Sequence, residues 1–130
     1  MFTKYFFKHN QMNCKSCQLE LNETNQYKSS RAHLCKKCFS KYQVKKGVDK
    51  KLKLIQRHGG ECQSCGYKGH YSVFDFHHLD PSKKEIQLEC DRWGWNRLTE
   101  EADKCALLCS NCHRLVHAGE IEISNPSLPI

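Results

Sequence analysis

Residues 104–117 read KCALLCSNCHRLVH, and this stretch decides what kind of fold the chain can adopt. Cys109 and Cys112 are separated by two residues; His113 follows at once, and His117 lies one helical turn further on. Ser110 as an N-cap and Gly119 as a terminator predict a helix over SNCHRLVHAG. On that helix His113 and His117 share one face, while Cys112 points about 100° away from His113. One short helix can therefore offer sulfur to one site and imidazole to another.

Working outward, the same Cys-x2-Cys spacing recurs at Cys14/Cys17, Cys35/Cys38 and Cys62/Cys65, so eight of the ten cysteines fall into four identical pairs. Two residues between thiolates let one tight turn set the sulfurs about 3.5–4 Å apart, the edge of a tetrahedron of Zn–S bonds of roughly 2.3 Å. Taken in order, Cys14, Cys17, Cys35 and Cys38 make one structural Zn²⁺ site, and Cys62, Cys65, Cys109 and Cys112 a second. Interleaved pairings and four disulfides are the alternatives. Cys90 and Cys105 are left over and are expected to act as small buried apolar residues.

Composition favours metal over disulfides. The 130 residues are 38% hydrophobic and 27% charged, too little apolar bulk for one large core, so staples are needed. The opening MFTKYFFKHN has no apolar signal segment, and no run is long and apolar enough for a membrane span. The expected setting is the cytoplasm, where thiols stay reduced and cysteines bind metal, with no membrane partner. The net charge of +7 is uneven: residues 1–58 hold 14 basic and 3 acidic side chains, residues 59–130 hold 7 and 11. Two Zn²⁺ ions with four thiolates each would lower the total to about +3, yet the positive charge stays concentrated between Lys36 and Arg57. That is the footprint of a phosphate-backbone binder.

The expected fold class is a small, zinc-stabilised α+β chain. Its parts are an N-terminal knuckle or treble-clef-like four-cysteine unit with a basic helix at 1–57, a second zinc-bearing domain at 58–119 and an irregular tail at 120–130. From Cys35 on, Phe39, Tyr42, Val48, Leu52 and Ile55 recur at helical spacing; Gly47 is a candidate break and His58-Gly59-Gly60 the end. YSVFDFHH reads as a strand closed by the turn Asp80-Pro81-Ser82, and Asn96 to about Cys105 reads as helix. On a strand, His77 and His78 face opposite ways, so at most one can join His113 and His117 around a metal while the other is free to move a proton. His9, His33, His58 and His70 are expected to serve packing or hydrogen bonding, with His33 an alternative first-site ligand. Trp93 and Trp95 are expected in the core, with base stacking as the alternative.

CQSCG, FDFHHLDPSKKE and KCALLCSNCHRLVH, over about residues 58–119, resemble the HNH (His-Me finger) nucleases, in particular their phage and bacterial HHxDP…LLCxNCH branch. The N-terminal CxxC–CxxC half more loosely resembles a segment that precedes such domains. The resemblance implies a ββα-metal fold and hydrolysis of DNA, with nicking the expected outcome. It also implies His78 as general base, His77, His113 and His117 as ligands of one catalytic Mg²⁺ or Mn²⁺, and the second four-cysteine set as scaffold. The family's central Asn falls near Lys104 here, so bracing of the base must come from elsewhere, with Asp75 or a backbone carbonyl as candidates.

Double-stranded DNA is the expected partner, gripped by Lys41, Lys45, Lys46, Lys50, Lys53, Lys83, Lys84 and Arg114, with the protein a monomer or homodimer. The competing class is a non-catalytic double zinc-finger regulator, which leaves the HH…HxxxH set unexplained. Within the enzyme class the rival is a zinc-carrying Holliday-junction resolvase.

Overall fold

Residues 12–123 are described by a computed structural model; His9 and positions 124–130 of the expected tail lie outside the described residues. Their order is α1 (Lys36–Arg57), β1 (Phe74–His78), α2 (Trp95–Ala102), β2 (Cys105–Cys109) and α3 (Ser110–His117), with single 3-10 turns at Tyr71–Val73 and Pro81–Lys83. The chain divides into two compact units between Lys45 and Lys46, inside α1.

The first unit is a knuckle followed by two isolated antiparallel bridges, Asn13↔Glu20 and Gln26↔Cys35, and the start of α1. Among the described residues its buried core is Cys14, Leu34 and Cys35, flanked by Leu21, Cys38 and Phe39, with Tyr27 stacked on Phe39 at 3.6 Å between centroids. The knuckle turns at Gln18, which sits at φ 66° and donates its N–H to the Cys14 carbonyl at 2.9 Å.

Helix α1 runs unbroken through Gly47, so the expected break is absent. Glycine there lets the chain at Asp91 approach closely: a Cβ would lie 3.1 Å from the Asp91 Cβ, tighter than an ordinary contact. The helix carries Arg57 in its last turn, where a cation suits the helix dipole, and stops at Gly59 and Gly60, both at positive φ, as expected. The apolar stripe needs correction at two residues, the first being Tyr42, which is exposed. Leu52 is 44% exposed, while Leu54, lying between Lys53 and Ile55, is fully buried. The inward face thus follows Gly47, Leu54 and Ile55.

The second unit is built on an antiparallel pair, β1 with β2, in the register Phe74↔Cys109, Phe76↔Leu107 and His78↔Cys105. All five residues of β2 are buried. The expectation of helix reaching Cys105 is therefore corrected: α2 stops at Ala102 and the chain turns into CALLC, whose unbroken apolar run fills the interior as a strand. One core cluster joins Ile55, Phe74, Ala106, Leu107 and Leu108 to three of the cysteines; another joins Leu54, Leu98 and Ala102, with Trp93 and Cys90 against it. Cys105 is buried, whereas Trp95 remains 38% exposed at the start of α2.

The N-cap of α3 is also corrected. Cys109 caps it, its sulfur accepting the Cys112 N–H at 3.5 Å, while Ser110 is already helical and donates its hydroxyl to the Val73 carbonyl at 2.9 Å. No helix among the described residues is long and apolar enough to cross a membrane.

Candidate functional site

Four sulfurs converge in each unit: Cys14, Cys17, Cys35 and Cys38 in the first, Cys62, Cys65, Cys109 and Cys112 in the second, each set within 4.8 Å. The pairing in sequence order is the one found. Cross-pair separations are 3.8 Å for Cys17–Cys35 and 3.7 Å for Cys65–Cys109, which match the ~3.8 Å edge of a tetrahedron of 2.3 Å Zn–S bonds. All ten cysteines are unbridged, so disulfides do not compete.

Charge explains why a cation suits these sets. The backbone amides of Cys17 and Cys35 hold the Cys14 thiol down at about 6. Burial works to raise Cys62, but the amides of Cys109, Cys65 and Ser64 outweigh it and hold that thiol at about 6 as well. Burial and the neighbouring sulfurs push Cys112 up to about 12. Four crowded thiols cannot all ionise without a cation among them, and each cluster can hold a structural zinc ion. His33 takes no part in the first cluster; its backbone carbonyl accepts the Lys15 N–H at 3.0 Å.

A third cluster lies in the second unit, where His77 from β1 meets His113 and His117 from α3, one nitrogen of each within 4.8 Å of the others. The Nε2 atoms of His113 and His117 are 3.1 Å apart, close to the ~3.3 Å edge of a tetrahedron with metal–nitrogen bonds of about 2.0–2.1 Å. His113 Nδ1 lies 3.1 Å from Asp75 Oδ2; a carboxylate there accepts the Nδ1 proton and turns Nε2 toward the cluster. Burial, and then the neighbouring imidazoles His113, His117 and His78, lower the pKa of His77, which favours the neutral form a ligand needs.

His78 points the other way, as alternation along a strand requires. Its Nε2 lies 2.8 Å from Oε1 of Glu101, a side chain the sequence reading missed. Glu101 is 3% exposed, and its Oε1 also accepts the N–H groups of Glu85 (3.0 Å) and Ile86 (3.4 Å), while Oε2 meets Lys104 Nζ at 3.0 Å. Burial alone would raise its pKa; the Glu85 N–H, the Lys104 ammonium, the His78 imidazole and the Ile86 N–H outweigh burial and hold it at about 2. Glu101 is thus a carboxylate at neutral pH. Asp75, considered as the brace of His78, belongs to His113 instead. Lys104 pairs with Glu101 and Glu85.

All four histidines line one open cavity of about 260 Å³ in the second unit, floored by Phe76, Pro81 and Leu88 and flanked by Lys84 and Gln87. The basic residues are placed differently from one another. Lys41 and Lys45 are exposed in the first unit, and Lys46 is exposed in the second. Lys50 donates to the Trp93 carbonyl at 2.7 Å, and Lys53 lies 6.0 Å from the Trp95 ring centroid. Lys83 and Arg114 are exposed, and only Lys84 of the eight lines the cavity.

No family model matches the chain, and neither a curated protein nor a solved structure does.

Proposed function

We propose that the chain is a metal-dependent DNA endonuclease of the HNH type, hydrolysing phosphodiester bonds at the cavity of the second unit. One observation carries the reading: three convergent imidazoles share a cavity with a fourth histidine that is bonded to a buried carboxylate. A structural histidine cluster has no need of both. His77, His113 and His117 would hold a divalent cation such as Mg²⁺ or Mn²⁺, which when bound neutralises the scissile phosphate and the leaving 3′ oxygen.

His78 acts on the water. Glu101 is ionised and can only accept, so the His78 proton sits on Nε2 and leaves Nδ1 as the basic nitrogen. Nδ1 takes a proton as the water oxygen bonds to phosphorus; the P–O3′ bond breaks, giving a 5′-phosphate and a 3′-hydroxyl once the 3′ oxygen gains a proton. Glu101 is a positioning residue. It fixes the tautomer and ring orientation and favours the imidazolium formed when Nδ1 is protonated. Exposed lysines, among them Lys41, Lys45 and Lys83, together with Arg114, supply salt-sensitive affinity for double-stranded DNA.

The test is relaxation of supercoiled plasmid by wild type, His78→Ala and Glu101→Gln, each with Mg²⁺, with Mn²⁺ and with no divalent ion added to the zinc-loaded protein. Wild type should cut only with added metal. His78→Ala should lose on the order of 10²–10⁴-fold, and Glu101→Gln should retain metal binding but cut more slowly. Full cutting by His78→Ala removes the mechanism, and a wild type that shifts DNA on a gel without cutting it in any metal makes the chain a zinc-stabilised binding module.

A further inference from the structure

The reaction raises the negative charge on the reacting phosphate from one toward two, and a cation of the chain that faces the cavity can bind that growing charge. Which cation of the chain meets that charge is legible from the cavity. Lys104 is committed to Glu101 and Glu85, with a third bond to the Lys83 carbonyl at 3.1 Å. Arg57 is held by Asp103 at 3.0 Å. Lys83 and Arg114, though close in sequence to the histidines, do not line the cavity. Lys84 does, alongside the imidazoles.

Its amine also has a polar partner beside the cavity. Lys84 Nζ donates to Gln87 Oε1 at 2.7 Å, Gln87 lines the same cavity, and the Gln87 carbonyl accepts the Trp93 indole N–H at 3.1 Å. A lysine held by a neutral acceptor keeps its full charge and spare donors for an anion, unlike one neutralised by a carboxylate.

Resting on the nuclease reading, we infer that Lys84 is a catalytic residue whose ammonium donates to a non-bridging oxygen of the reacting phosphate. It is then not one more contact to the DNA backbone. As the water oxygen bonds to phosphorus, charge grows on the non-bridging oxygens, and a positioned cation binds that arrangement more tightly than the substrate. Gln87 acts through Lys84 as a positioning residue.

The experiment compares wild type, Lys84→Gln and Lys84→Arg on a labelled duplex with Mg²⁺ or Mn²⁺. Single-turnover rates are taken at saturating DNA, and affinity by anisotropy with Ca²⁺ in place of Mg²⁺, so that the structural zinc is retained. Lys84→Gln should lower the saturated rate about 10²-fold or more while affinity changes less than about threefold, and Lys84→Arg should recover much of the rate. If Lys84→Gln instead weakens binding and regains the full rate at high DNA concentration, Lys84 is an outer contact and the inference fails alone. An equal rate in all three proteins overturns it too. If wild type itself does not cut, the nuclease reading has failed and this inference with it.

Discussion

The two sulfur clusters are built on one plan and set in different surroundings. In both, a knuckle supplies the first pair: Gln18 N–H bonds to Cys14 O at 2.9 Å, and Gly66 N–H to Cys62 O at 2.8 Å. In both, the third cysteine lies just before a helix and its sulfur accepts the fourth cysteine's N–H, Cys38 at 3.4 Å and Cys112 at 3.5 Å. Around the first cluster the buried core is one leucine and two of its own ligands; around the second it includes Ile55, Phe74, Leu107 and Leu108. A tetrahedral sulfur set thus needs only local turns. A site with four aimed histidines needs a sheet and core to hold them, and among the described residues these lie in the second unit.

The largest expected effect comes from removing metal. Zinc binding free energy in small domains is of the order of 10 kcal/mol and is largely folding free energy. A strong chelator at neutral pH should therefore abolish hydrogen-exchange protection in residues 13–35 while the β1–β2 amides keep measurable protection; equal loss in both units would erase the contrast. Next comes the core itself. Leu107→Ala should cost about 2–5 kcal/mol in the second unit, and Leu34→Ala clearly less in the first, read from chemical denaturation with zinc present. Smallest is the turn residue. Gln18 at φ 66° and Gly66 at φ 74° occupy equivalent places, so Gln18→Gly should stabilise the first unit and Gly66→Ala destabilise the second, each by about 1 kcal/mol in thermal unfolding.

Spacing made the metal clusters legible in advance, because sulfur geometry is local and two intervening residues leave little freedom. The same holds for His113 and His117, one turn apart. What escaped the sequence depends on tertiary packing. Cys105–Cys109 has no alternation to mark it as a strand, since both its faces are buried. Leu54 was left out of the helical stripe read from the sequence and is fully buried. Glu101 stands beside Glu100 in a polar run, and nothing local says that one carboxylate is interior and the other exposed. A signal was present all the same. A histidine at a strand end beside a buried run needs a partner for its ring nitrogen, and an acid shortly before Lys104 was the place to look.

Because Cys109 ends β2, caps α3 and belongs to the sulfur set, the cluster also acts as a ruler for strand pairing. The register Phe74↔Cys109 sends His77 toward His113 and His117 and His78 toward Glu101. A slip of one residue would exchange the two faces of β1, offering His78 to the imidazoles and His77 to the carboxylate. The same slip would turn Phe74 and Phe76 out of the core and Asp75 into it, so the packing that holds the register also holds each histidine to its own face.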